Sequence, residues 1–221
     1  MKILSTKKLS SDQRDIVSDF QVEEVAMIDI FFGKNLEINE RVKNAIFTSS
    51  NSVRSVFEVN KIEISNFEFI FCVGEKTKVL LESFGLVVDI CAKNANELAY
   101  AILDMFAANT ERSFKEISWF CGNLRNNELP VIIAEHGLLV TEYLVYETKL
   151  NTILVQEDYD AILFYSPSGV KAYLKLNKPN SNPVVCIGST TAIEAIEFFD
   201  NVYISDKTTV ESVIEKVKEI L

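Results

Sequence analysis

The chain is poor in the residues that metal and nucleophilic chemistry most often use. Its 221 residues include one histidine, His136, and four cysteines, Cys72, Cys91, Cys121 and Cys186. The cysteines are scattered, with no C-x-x-C pair and no histidine beside them. They read as small buried hydrophobes of a reducing compartment rather than as ligands or disulfide partners. His136 precedes Gly137 at a predicted helix end, where an imidazole suits the helix dipole. A metal enzyme or a Ser-His-Asp hydrolase therefore has too few imidazoles to stand on, and no metal ligands are assigned. Positive charge is scarce too: 22 Lys and Arg stand against 32 Asp and Glu, a net charge of −10. That argues against a nucleic-acid partner, which needs a basic face. It also means that any anion site must rest on local Lys, Arg and backbone N–H groups.

Long apolar runs are missing as well. No stretch approaches the roughly 18 residues that cross a bilayer, so no membrane partner is expected. The start, Met1-Lys2-Ile3-Leu4-Ser5-Thr6, lacks an apolar signal region followed by a cleavage site. It reads as a first β-strand, and a cytoplasmic protein is expected. Neither G-x-G-x-x-G nor G-x-x-x-x-G-K occurs, so a nucleotide-dependent transferase lacks its phosphate fingerprint. What remains is ordinary globular material, 48% hydrophobic and 24% charged. It is enough for one large domain or two of about 100 residues.

Two motifs occur twice, in the same order. Ala45-Ile46-Phe47-Thr48-Ser49-Ser50-Asn51 is echoed by Ala161-Ile162-Leu163-Phe164-Tyr165-Ser166-Pro167-Ser168-Gly169. Phe71-Cys72-Val73-Gly74-Glu75-Lys76-Thr77 is echoed by Val185-Cys186-Ile187-Gly188-Ser189-Thr190-Thr191. Ser49 and Gly74 are 25 positions apart, Ser166 and Gly188 are 22. Each motif is an apolar strand running into a Ser, Thr or Gly turn and then a helix. That is how an α/β fold builds an anion site at the carboxyl end of its sheet.

The remaining elements follow from periodicity and punctuation. Lys2 to Leu4 predicts a strand, and Ser10 or Ser11 caps a helix to about Phe20. The mostly apolar run Val25 to Phe32 predicts a strand buried on both faces. Gly33 breaks it, and a polar stretch follows to Lys43. After strand 45–48, Ser50 or Asn51 caps a helix. Strand 67–73, helix 75–84 with Gly85 beyond its end, strand 86–90 and a helix capped by Asn94 or Asn96 come next. Strand 117–121 ends at Gly122. A helix from about Asn127 carries Pro130 in its first turn, where proline is tolerated. Strand 138–146 leads to a polar connector, 148–158. Strand 161–165, helix 167–175, strand 184–187, helix 190–199, strand 201–204 and a helix from about Thr208 complete the chain. Alternating strands and helices predict parallel sheets and an α/β class.

The order of units places the repeats in different domains. The middle segment holds a complete set of units, whereas the C-terminal segment holds only the first two. The N-terminal segment supplies the kind of pair it lacks. One domain is therefore expected from residues 1–33 plus 149–221, with 34–148 inserted. Two linkers at one hinge would let the domains rock about a cleft.

At this point the chain resembles the uroporphyrinogen-III synthase family along essentially its full length. The resemblance rests on Thr48-Ser49-Ser50-Asn51, Val73-Gly74-Glu75-Lys76-Thr77, Cys121-Gly122-Asn123-Leu124-Arg125, Val145-Tyr146-Glu147-Thr148, Phe164 to Gly169 and Ile187 to Ala192, in that order. It implies two flavodoxin-like α/β domains, one inserted into the other, joined by a two-stranded linker, with the active site in the cleft. It implies a reaction that closes hydroxymethylbilane, a linear tetrapyrrole with eight carboxylates, into uroporphyrinogen III. Water is lost, the last ring is inverted, and no cofactor is used. A monomer is the expected state. Many relatives carry an arginine in the first turn, where this chain has Ser5-Thr6-Lys7-Lys8.

On this reading Thr48, Ser49, Ser50, Gly74, Thr77, Gly122, Ser166, Ser168, Gly188, Thr190 and Thr191 hold substrate carboxylates through turn amides and hydroxyls. Arg125 could pair bidentately with one of them, and Lys7 and Lys8 add charge. By resemblance, Tyr146 is the proton donor to the departing hydroxyl. Each has a plainer role open to it: helix caps for Ser49, Ser166 and Thr191, packing for Tyr146, a solvated turn for Arg125, turn geometry for Gly74 and Gly188. The alternative function is a non-catalytic two-domain cleft protein that binds another anionic small molecule.

Overall fold

A computed structural model describes residues 1–38, 42–108 and 116–221, so part of the polar stretch leading to Lys43 lies outside the described residues. Strand β1 (Lys2–Ser5) leads to helix α1 (Ser11–Ile16). The cap is Ser10, in a box with Gln13: the Gln13 N–H donates to Ser10 Oγ at 3.3 Å and the Ser10 N–H to Gln13 Oε1 at 3.0 Å. The helix stops at Ile16, short of Phe20, because the Phe20 N–H turns back to the Val17 carbonyl and frees the chain to enter β2 (Gln21–Glu24). The strand expected over 25–32 is therefore confined to its second half. Val25 and Met27 donate their N–H groups to the carbonyls of Ser5 and Thr6, and Met27 is fully buried. Only then does β3 (Ile28–Phe32) begin, alternating partly buried with exposed residues rather than buried on both faces.

Strand β4 (Val42–Phe47) runs into α2 (Ser50–Val53). Its cap is Ser49, one residue before the expected Ser50 or Asn51, because Ser49 holds the extended φ and ψ of −153° and 142° that a cap needs. The helix widens into a π-turn over Arg54–Val59, where the Asn60 N–H reaches the Ser55 carbonyl at 3.0 Å. Strand β5 (Phe67–Val73) and helix α3 (Glu75–Ser83) fall as the sequence predicts. Strand β6 (Ile90–Ala92) starts later than predicted. Asp89 first uses both its carboxylate and its N–H on Ile70, and the ladder opens only at Phe71 opposite Ile90.

Helix α4 (Ala95–Ala108) is entered through Asn94, whose Oδ1 accepts the Glu97 N–H at 2.9 Å. Strand β7 (Glu116–Gly122) and helix α5 (Glu128–Glu135) precede the long β8 (Leu139–Leu150). The expected connector is thus partly strand, extended because Asn123 brackets Thr148: its Oδ1 accepts the Thr148 N–H at 2.8 Å and its amide donates to the Thr148 carbonyl at 3.2 Å. Then follow β9 (Ala161–Phe164), α6 (Pro167–Leu174), β10 (Val184–Cys186), α7 (Ser189–Ile196), β11 (Val202–Ile204) and α8 (Val210–Ile220).

The chain forms two compact units, Met1–Asp29 with Lys149–Leu221, and Ile30–Thr148. The first has a parallel sheet in the order β11-β10-β9-β1-β2. Numbered within the unit, that is the flavodoxin-like order 2-1-3-4-5, whose direction reverses between β1 and β9. One face packs Leu4, Ile162, Phe164, Tyr173 and Phe199, and the other Ile3, Leu163, Val213 and Val217. The second sheet runs β3-β8-β7-β4-β5-β6. Setting β3 aside, its order is 3-2-1-4-5, the other doubly wound arrangement, and it reverses between β4 and β7. Phe47, Phe57, Phe67 and Phe120 fill one face, with Phe47 and Phe120 stacked at 5.0 Å, and Trp119, Leu98 and Ile133 fill the other. Cys72, Cys121 and Cys186 are buried in these cores as expected, but Cys91 is exposed. It lies on β6, an edge strand of the sheet among the described residues.

Among the described residues no helix is long and apolar enough to cross a membrane, and no three His, Cys, Asp or Glu gather as metal ligands.

Candidate functional site

In an open α/β sheet a ligand settles outside the carboxyl ends of the strands, where the strand order reverses. In the second unit the end of β4 is Thr48-Ser49-Ser50 and the end of β7 is Gly122. The two ends are tied: the Trp119 Nε1–H donates to Thr48 Oγ1 at 3.2 Å. Ser49 Oγ accepts the Asn51 N–H at 3.1 Å, and Ser50 stands in the first turn of α2.

Tyr146 is brought to this rim by a β-bulge. Cys121 lies opposite Leu144 but Gly122 lies opposite Tyr146, so Val145 is an extra residue in β8. A bulge re-aims the side chains beyond it. The Val145 carbonyl is fixed by the Ser55 hydroxyl at 2.5 Å and the Gly33 N–H at 2.9 Å. The Tyr146 ring then lies over Gly122. A Cβ on Gly122 would sit 2.4 Å from Tyr146 Cζ and 2.8 Å from its hydroxyl oxygen. Gly122 is therefore a notch that holds the ring. Burial is the main reason that the Tyr146 phenol titrates above the ordinary tyrosine value; a hydrogen bond with Ser49 works the other way, and Cys121 adds a little to the rise. The phenol thus keeps its proton throughout the neutral range.

The other predicted residues of this unit divide. Gly74 has φ of 82°, a conformation that a side chain would strain, and its N–H is held by the Ala92 carbonyl at 2.9 Å. Thr77 turns inward, 5% exposed, so its hydroxyl is not on the surface of the rim. Arg125 is already engaged. Its Nη2 pairs with Glu142, its Nη1 lies 3.5 Å from the Gly122 carbonyl, and its guanidinium lies 5.8 Å from the Trp119 ring centroid. A substrate carboxylate would have to compete with Glu142 for it.

The first unit repeats the arrangement at its own reversal point. Ser166 caps α6 by accepting the Gly169 N–H at 3.1 Å, and Ser168 Oγ lies 3.2 Å from Ser166 Oγ. Across the reversal, the Thr6 hydroxyl donates to the Leu163 carbonyl at 2.6 Å. The Lys7 ammonium stands 5.6 Å from the Tyr165 ring centroid, while Lys8 is exposed. Gly188 caps α7 with φ of 180°, which any residue adopts; what it spares is space, since a Cβ would sit 3.2 Å from Thr208 Cγ2. Thr190 is exposed and Thr191 is 1% exposed, so only the former presents a hydroxyl. The cap gives a prediction: Ser166→Ala should lower unfolding free energy by about 1 kcal/mol. If the same hydroxyl also meets substrate, KM rises in parallel, measured by denaturant titration and steady-state kinetics.

Sequence reasoning missed Trp119 and Ser55, which position the rim without belonging to a turn motif, and the part that Asn123 plays within its motif. The one available signal was the largely apolar run from Ile117 to Gly122, broken by Ser118, which marks a central strand whose polar atoms need local partners.

Comparison with known proteins now adds to the geometry. The family model described as Uroporphyrinogen-III synthase HemD matches residues 18–215. No curated protein shows significant similarity by sequence. Among solved structures, the chain is similar to uroporphyrinogen-III synthetase from Helicobacter pylori, at 19% identity and a TM-score of 0.67, covering 100% of this chain and 99% of that one. It is also similar to a mutant uroporphyrinogen III synthase from the extremely thermophilic bacterium Thermus thermophilus, at 13% identity and a TM-score of 0.71, covering 99% and 98%. Identities this low speak for the fold.

Proposed function

The chain belongs to the uroporphyrinogen-III synthase family of tetrapyrrole-forming lyases, and from that premise we propose how its residues carry the reaction. The substrate is hydroxymethylbilane. The amides and hydroxyls at Thr48, Ser49 and Ser50 and at Ser166 and Ser168 receive its carboxylates. Gly74, Gly122, Gly188 and Thr190 extend the two rims. Thr77 and Thr191 contribute through their turns, and Arg125 contributes by exchanging Glu142 for a substrate carboxylate.

Tyr146 donates its phenolic proton to the terminal hydroxyl, which leaves as water while the pyrrole nitrogen pushes electrons into an azafulvene cation. Binding then sets which carbon of the last ring attacks, an orientation effect that decides the isomer. For the type III isomer the substituted α-carbon attacks, its bond to the old bridging methylene then breaks, and that methylene re-bonds to the ring's unsubstituted α-carbon, whose lost proton balances the one that Tyr146 gave. No cofactor enters this scheme. The observation that carries it is the bulged, notch-held Tyr146 beside Ser49 at the sheet's reversal point. The proposal includes a monomer acting in the cytoplasm without a nucleic-acid partner, in keeping with a net charge of −10.

The test is isomer analysis. Hydroxymethylbilane generated in situ is supplied to the protein, and the oxidised porphyrins are separated by chromatography. Type III should dominate. Type I alone, the spontaneous product, would reject the proposal and return the chain to the non-catalytic binding reading.

A further inference from the structure

We propose that Cys72 and Cys91 form a peroxide-responsive dithiol, a modification site on the edge of the second sheet. Strands β5 and β6 pair in parallel with Cys72 directly opposite Cys91. Paired residues on neighbouring strands stand about 4.8 Å apart, inside the roughly 4.4–6.8 Å between Cα atoms that a disulfide accepts. Both side chains leave the same face of the pleat. They are unequally placed: Cys91 is exposed, whereas Cys72 is buried in the phenylalanine-rich core. Burial first, and then neighbouring Cys91, push the Cys72 thiol far above its ordinary range.

That inequality orders the chemistry. Peroxide meets the exposed thiol, whose sulfur displaces hydroxide and becomes a sulfenic acid with release of one water. The Cys72 sulfur then attacks Cys91 Sγ. The S–O bond breaks, and the hydroxyl leaves as a second water with the Cys72 proton. Two electrons pass from the thiols to the peroxide, and one S–S bond forms. Strand β6 has three residues and is an edge strand among the described residues, so it can make the small shift that a disulfide between parallel neighbours requires. Such a bond carries strain and is readily reduced, the property of a reversible disulfide. Cys121 and Cys186 have no such opportunity, since they are buried without a cysteine opposite them.

The bond would form next to the rim. The Ala92 carbonyl, one residue beyond Cys91, holds the Gly74 N–H at 2.9 Å. A change in turnover on oxidation would therefore follow only if the rim reading above is correct. The modification itself is read by mass, so its failure and the failure of that reading are distinguishable.

The experiment treats the full-length protein with hydrogen peroxide, blocks remaining thiols and maps peptides by mass spectrometry before and after dithiothreitol. The expected result is a Cys72–Cys91 cross-linked peptide about 2 Da lighter than the sum of its parts, restored by reductant. The exposed-site variant Cys91→Ser should lose the cross-link while keeping its fold, and Cys121→Ser should retain it. Progression of Cys91 to sulfinic acid without a cross-link would overturn the proposal, as would a cross-link that survives Cys91→Ser.

Discussion

Replacing Gly122 by alanine is expected to cut turnover about tenfold or more. The added methyl would occupy space 2.4 Å from Tyr146 Cζ. A tyrosine ring has no flexible end to bend aside, so it must swing out of the notch. In doing so it loses its hydrogen bond with Ser49, and displacement of a catalytic group by about 1 Å can by itself cost up to a hundredfold. Stability should fall by only about 1–2 kcal/mol, since the rim can yield where a core could not. Kinetics and denaturant titration of the variant check both parts. A normal rate would mean that the ring does not need the notch.

Tyr146→Phe keeps the ring in place and removes only the proton. Turnover should drop tenfold or more, toward the range of general acid catalysis, with unfolding free energy little changed. The pair of variants is informative together. If Gly122 acts by placing the phenol, Gly122→Ala with Tyr146→Phe should be no slower than the slower single variant. Multiplied losses would show that Gly122 acts separately. Because burial raises the Tyr146 pKa, the wild-type rate should show no loss from phenol ionisation below about pH 10. A limb below that value that disappears in Tyr146→Phe would contradict the assignment.

Much of the fold was legible because strands and helices alternate with clear punctuation. Gly85, Gly137 and Asn94 stop or start helices where composition says they should, since their backbone needs are local. What was not legible depended on distant partners. Val25 to Phe32 is mostly apolar, yet only Ile28–Phe32 is strand, because Ser5 and Thr6 claim the N–H groups of Val25 and Met27. The start of β6 was shifted by Asp89 reaching across to Ile70. The site behaves likewise. Turn motifs placed Ser49, Gly74 and Ser166, whereas the bulge at Val145 that aims Tyr146 is set by Ser55 and Gly33, far away in sequence. Arg125 was read as available for a carboxylate, and Glu142 had already taken it.

The central claim is that the proposed rim beside Tyr146 receives carboxylates of a tetrapyrrole. It is tested most directly by backbone amide NMR during titration with uroporphyrinogen III under reducing conditions. The account predicts that amides of Ser50 and Asn51 shift along one binding curve, saturating at about one equivalent. Shifts elsewhere in the chain at saturation, with these two amides unmoved, would contradict it.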